Sequence, residues 1–110
     1  MATETRKVLG QVALGATSLT DFYTVPGATQ AVVSTGTVCN RGAAGATFRI
    51  SVAVAGAADD LKQYLYYDLP IPANDSFAFT FGIALGSGDV VRAYASTADL
   101  SVSLFGVEIA

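Results

Sequence analysis

Histidine and tryptophan are absent from the 110 residues, and cysteine occurs once. Without histidine the commonest general base and the commonest metal ligand are gone. One cysteine cannot close an internal disulfide or furnish a zinc site, and it suits assembly in a reducing compartment. Cys39 follows Thr37-Val38 in an apolar stretch with only Arg41 as a basic neighbour, which predicts a buried structural thiol and not a nucleophile. Charge is scarce as well. Six Lys and Arg face nine Asp and Glu, so charged residues make up 14% of the chain, where about 25% is usual. The basic residues stand singly apart from Arg6-Lys7, leaving no clustered footprint for nucleic acid. No run approaches the roughly 18 apolar residues that span a bilayer. Gly10, Gln11 and Gly15 interrupt the stretch after Arg6-Lys7, so neither a cleaved leader nor a membrane partner is expected.

What is present is apolar but small. Hydrophobic residues reach 52% and mean hydropathy is +0.49, with Ala, Val, Leu and Gly dispersed along the chain. An isolated soluble domain normally carries more surface charge to stay apart from its copies. A weakly charged, Ala- and Thr-rich exterior suits a protein whose faces are covered by neighbours. The length predicts one domain over 1–110, with 1–5 as a flexible N-terminal arm.

Alternation with a period of two is the main structural signal. Phe48, Ile50, Val52 and Val54 share one face of a half-buried strand, and Phe77, Phe79, Phe81 and Ile83 share one face of another. Leu100, Val102 and Leu104 alternate with Ser101 and Ser103; the phase then flips at Phe105 and Val107, which predicts a bulge near Gly106. Turn signals recur at Gly15, Pro26-Gly27, Asn40-Arg41-Gly42, Gly56 to Asp60, Pro70 to Asp75, Gly86-Ser87-Gly88 and Ser96 to Asp99. The strands expected between them are 6–14, 18–25, 29–39, 46–54, 62–70, 76–83, 89–96 and 100–108. Ala57 to Gln63 is the sole helical candidate and is long enough for one turn in a loop. The expected fold is therefore all-β: a single-domain, antiparallel, jelly-roll-like β-sandwich of about eight strands. Strand order is not legible at this level.

Chemistry is hard to find. Asp60, Asp75, Asp89 and Asp99 adjoin turn signals, where Asp serves the local backbone, so paired-carboxylate catalysis is not indicated. Asp59-Asp60 offers oxygen ligands for Ca²⁺ but lacks EF-hand spacing. Gly82 to Gly88 lacks the Lys-Ser/Thr ending of a phosphate loop, and its Gly-Ser-Gly-Asp segment reads as a connection needing positive φ. The expectation is a non-enzyme with no catalytic, metal or cofactor residues and no cofactor. The aromatic cluster is more informative. If Leu65, Tyr67 and Leu69 face inward, Tyr64, Tyr66 and Asp68 face outward; Val91, Ala93 and Ala95 inward likewise leave Arg92 and Tyr94 outward. Outward Tyr and Arg are enriched at binding hot spots. Tyr64, Tyr66, Arg92 and Tyr94 are therefore the candidate interface, against the plainer reading that paired tyrosines stabilise an outer sheet face.

Five stretches carry a resemblance. They are Phe22-Tyr23-Thr24-Val25-Pro26 with Val38-Cys39-Asn40; Tyr66-Tyr67-Asp68-Leu69-Pro70-Ile71-Pro72-Ala73-Asn74-Asp75; Gly88-Asp89-Val90-Val91-Arg92-Ala93-Tyr94-Ala95-Ser96; and Leu104-Phe105-Gly106-Val107-Glu108. Together they resemble small virion structural proteins of tailed bacteriophages, over most of the chain from about residue 20. These motifs look like turn and strand-edge residues of a β-sandwich used in capsid decoration (cement) proteins and in tail, collar and fibre modules. None is catalytic, and no site residue is carried over. The resemblance implies a virion component assembled in the host cytoplasm. As a head decoration protein it would partner itself, as a homo-oligomer expected to be a trimer because closed rings prevent runaway assembly, and the major capsid protein. As a tail module it would join other tail proteins or bind a host-surface glycan.

Overall fold

A computed structural model of the chain describes residues 3–110, apart from the side chain of Phe81. It contains β1 (Glu4–Ala13), β2 (Thr20–Thr24), β3 (Gln30–Asn40), β4 (Ala46–Ala53), β5 (Tyr64–Ile71), β6 (Ser76–Leu85), β7 (Val90–Ala95) and β8 (Leu100–Ile109). Each lies within a few residues of a strand expected from the alternation. The strands form two four-stranded sheets, ordered β1-β8-β3-β6 and β2-β7-β4-β5. The first strand pairs with the last, the second with the seventh, the third with the sixth and the fourth with the fifth, always antiparallel. A long hairpin rolled onto itself has this pattern, and the result is an eight-stranded jelly roll. The helical candidate, Ala57 to Gln63, reduces to one 3₁₀ turn, Leu61–Gln63, capped by Asp60, whose side chain accepts from the Lys62 amide; a second 3₁₀ turn, Val54–Gly56, precedes it. Among the described residues no helix is long and apolar enough to cross a membrane.

Inward residues of both sheets meet in one core that includes Leu9, Val33, Val38, Phe48, Ile50, Phe79, Val91, Leu100, Val102 and Leu104. Burying each of the larger side chains contributes about 1.5–3 kcal/mol. Phe48 of one sheet stacks on Phe79 of the other, with ring centroids 6.4 Å apart. Gly36 makes room for that ring, since a Cβ there would lie 2.1 Å from Phe79. Ile83 packs against the core as expected, whereas Phe77 sits at the rim, 37% exposed.

The phase flip near Gly106 has a different origin from the one expected. β8 runs on unbroken, and the extra residues lie in its neighbours: Leu9 in β1, between pairs Val8–Phe105 and Gly10–Leu104, and Ser34 in β3, between pairs Val33–Gly106 and Thr35–Phe105. Gly106 is needed because a Cβ would fall 2.0 Å from the Val32 carbonyl oxygen. The same slip in β3 turns Val38 and Asn40 inward and leaves Cys39 exposed on the outer face, which corrects its expected burial. The expected arm is corrected too. Glu4 and Thr5 pair with Ile109 and Glu108, and Thr3 and Ala110 exchange two backbone hydrogen bonds, so β8 holds this segment in the sheet. For Met1 and Ala2 the expectation falls outside the described residues.

Candidate interaction surface

Two rows of side chains cross the outer face of the β2-β7-β4-β5 sheet. In the first, Arg49 of β4 lies in register with Tyr94 of β7. Its guanidinium is sandwiched between the rings of Tyr67 and Tyr94, 4.0 and 4.4 Å from their centroids. Arg49 Nε donates to Asp68 Oδ1 at 2.7 Å and Nη2 to Oδ2 at 3.4 Å. The carboxylate hydrogen bond holds the guanidinium in its charged form, against a smaller opposing effect of desolvation. Tyr64 meets Tyr67 edge to face at 5.1 Å. Burial, then a hydrogen bond with Asp59, pushes the Tyr64 phenol above its ordinary pKa.

The second row runs from Tyr64 of β5 through Ser51 and Arg92 to Asp21 of β2. Arg92 Nε donates to Asp21 at 2.9 Å, while Nη1 and Nη2 donate to the carbonyls of Ala57 and Gly56 at 2.8 and 3.4 Å. Those carbonyls belong to a strained connection in which Ala55 and Gly56 have φ of 54° and 72°. Asp89 Oδ1 accepts from the Ala55 amide on the same connection. Arg92 thus faces outward, as expected, and spends its donors latching a loop to the sheet.

Tyr94 also faces outward as expected, because Val91, Ala93 and Ala95 face the core. Tyr66 does not. Its ring turns in against Phe77 and Phe79 at 5.9 and 5.8 Å and packs on the core, closing one long side of the sandwich. Tyr67 and Leu65 point out instead, 52% and 43% exposed. The cause is a bulge: Phe48 pairs with Leu69 and Ile50 with Tyr66, so β5 spends one residue more than β4. Asp68 absorbs it at φ 55°, a conformation Asp tolerates better than most residues. Sequence reading therefore gave the facing of Tyr64, Arg92 and Tyr94, misplaced Tyr66, and missed Tyr67, Arg49 and the Arg49–Asp68 pair. The alternation already put Arg49 opposite Phe48, but its partners depend on strand order.

The opposite sheet presents a plainer face. Charge on its four strands is limited to Glu4, Arg6, Lys7 and Glu108, all at the β1–β8 end. There Val32, Phe105 and Val107 line a shallow apolar hollow bordered by Arg6 and Lys7, and Val8 pairs with Phe105. Farther along, the outer positions are Ser, Thr, Gln, Ala and Cys39.

Taken over both sheets, strand charges cancel. The strands carry four cations (Arg6, Lys7, Arg49, Arg92) and four anions (Glu4, Asp21, Asp68, Glu108). Three cross-strand ion pairs join Lys7 to Glu108, Arg49 to Asp68 and Arg92 to Asp21. The connections hold two cations, Arg41 and Lys62, against Asp59, Asp60, Asp75, Asp89 and Asp99. The whole net charge of -3 therefore resides in the connections between strands. Several of those carboxylates serve the local backbone, as expected: Asp75 accepts from the Ser76 amide and Asp89 from that of Gly86. Among the described residues no three His, Cys, Asp or Glu side chains gather as a metal cluster.

No family model and no curated protein matches the chain. Among solved structures, a chain in the structure of infectious bursal disease virus, Gx strain, superposes with a TM-score of 0.56 at 10% identity. The match covers 99% of this chain and 32% of that one, so this chain spans about a third of its length. What is shared is the fold. A pentameric capsid protein isolated from metagenomic phage sequences also matches, at 18% identity over 92% of this chain and 58% of that one. Its TM-score of 0.38 is too low to carry an argument.

Proposed function

We propose that the chain is a structural protein of a bacteriophage virion, and within it a head decoration protein that packs across junctions between capsid subunits. The observation that carries this reading is the charge partition: strands of zero net charge in both sheets, with the acidic surplus in the connections between them. A face whose charges cancel exerts no net repulsion on a protein laid against it, while surface ion pairs of this kind add only about 0–1 kcal/mol each to the stability of the chain itself. The jelly-roll fold shared with a chain of a virus particle supports the same reading. Mechanistically, each copy would add buried area between neighbouring shell subunits, and many weak contacts acting together would stiffen the shell. Its partners would be further copies of itself and the major capsid protein, and no catalytic step is assigned to it.

One observation favours a second reading, as a tail, collar or fibre module. The Tyr67–Arg49–Tyr94 stack is aromatic and reaches the surface through Tyr67, which suits another tail protein or a host-surface glycan. Quantitative densitometry of purified particles separates the two. Hundreds of copies per particle are expected for decoration. A handful would move the chain to the tail, and its absence from particles would overturn both readings.

A further inference from the structure

The jelly roll has four strand edges, and three carry devices that discourage pairing with another chain. β1 bears Arg6 and Lys7 and a register shift at Leu9; β2 is five residues long and carries Asp21; β5 has Asp68 at positive φ, Pro70 and two register shifts. Charge, proline, bulges and shortness are the usual means of blunting an edge. β6 has almost none of them. It is ten residues long, Ser76-Phe77-Ala78-Phe79-Thr80-Phe81-Gly82-Ile83-Ala84-Leu85, without charge or proline. Its one register shift falls between Thr80 and Ile83, leaving Ser76 to Thr80 regular, and β3 is its sole strand partner among the described residues. Exposed Leu65 and half-exposed Phe77 line the same long side of the sandwich.

We infer that β6 is a self-association edge, pairing antiparallel with β6 of a second copy across a two-fold axis. The two β1-β8-β3-β6 sheets then join into one continuous eight-stranded sheet. A second copy is the occupant because of charge. Two chains of net charge -3 repel, and a two-fold joint lays residue i of one strand against j and j against i, so a lone charge near its centre, such as Asp21 of β2 or Asp68 of β5, meets its own copy. β6 is the one edge strand that carries no charge. Main-chain hydrogen bonds supply the affinity of this kind of joint. The inference deepens the virion reading by naming a self-contact, and it puts a two-fold pair in place of the trimer expected from the sequence.

The test uses Ala78 and Thr80, both exposed on the regular part of β6. Sedimentation of the purified wild-type chain should give the mass of a dimer. Ala78→Lys with Thr80→Lys should halve that mass, as should Ala78→Glu with Thr80→Glu, with the thermal unfolding transition of each retained. Mixing the two double variants should restore the dimer, because Lys then faces Glu across the joint; a merely destabilised fold would not recover. A monomeric wild type, a Lys variant that stays dimeric, or folded variants that fail to pair when mixed would overturn the inference. Particle copy number is read separately. A chain abundant in particles but indifferent to β6 charge would sink the edge alone, and a β6 dimer absent from particles would sink the virion reading alone.

Discussion

Tyr23 donates its phenolic hydrogen to Glu108 Oε2 at 2.5 Å, and the bond ties β2 of one sheet to β8 of the other. Tyr23 is buried, and Glu108 also receives Lys7 Nζ at 3.2 Å. The phenol holds the carboxyl below its ordinary value of 4.5, with Lys7 acting in the same direction and partial burial opposing. Burial and the neighbouring carboxylate push the Tyr23 phenol well above its ordinary value of 10.0. Both signs follow from linkage. The Glu108 contribution is complete above pH 4.5 and is lost as pH falls through the lower, folded value. The Tyr23 contribution is complete below pH 10.0 and is lost as pH rises beyond it. Tyr23→Phe should cost about 1.5–3 kcal/mol at neutral pH, as for a hydrogen bond to a charged group. It should also flatten both arms of the stability–pH curve, measured by urea unfolding at a series of pH values. Unchanged arms would mean that the bond does not link the sheets in solution.

Asn40 is the second cross-sheet tie. Its Nδ2 donates to the carbonyls of Ala44 and Ile71 at 2.9 and 3.1 Å, and its Oδ1 accepts from the Gly42 amide at 2.9 Å, all with the side chain buried. Asn40→Ala leaves those backbone groups without their partner and should cost about 2–4 kcal/mol by chemical denaturation.

Gly106→Ala tests the packing of β8 against β3. The added methyl meets the Val32 carbonyl oxygen and Leu9 Cδ1, so backbone must move. A loss of about 1–3 kcal/mol or more is expected. Gly15→Ala is the control, because nothing lies within 4 Å of a Cβ there, and its effect should stay within about 0.5 kcal/mol.

The facing of the tyrosines is tested by three truncations. Tyr66→Ala removes a ring packed on the core and should cost about 3 kcal/mol. Tyr67→Ala and Tyr94→Ala remove exposed stacking on Arg49 and should cost no more than about 1 kcal/mol each. Urea unfolding ranks the three. A Tyr66 variant as stable as the Tyr94 variant would contradict the inward placement.

The parts legible in the sequence are those governed by local alternation. Val91, Ala93 and Ala95 face inward as read, and so do Phe48 and Ile50, because β4 and β7 keep an uninterrupted pairing register. Alternation misleads where a strand slips. The positive φ of Asp68 reverses Tyr66 and Tyr67, and the extra residue at Ser34 puts Cys39 outside. At Gly106 the signal lay at the right height in the sheet but reported bulges in two neighbouring strands. Cancellation of the strand charges was out of reach, since Arg49–Asp68 and Arg92–Asp21 become neighbours only once the strand order is known. Composition registered only the low content of charged residues, 14% of the chain.

In the assembled particle the neutral sheet faces are expected to be covered by protein, and an electron-microscopy map of the intact particle is the decisive measurement. The sandwich should sit at junctions between shell subunits, with its sheet faces against protein and its acidic connections toward solvent. A sandwich with both faces bare, or particles without it, would contradict the account.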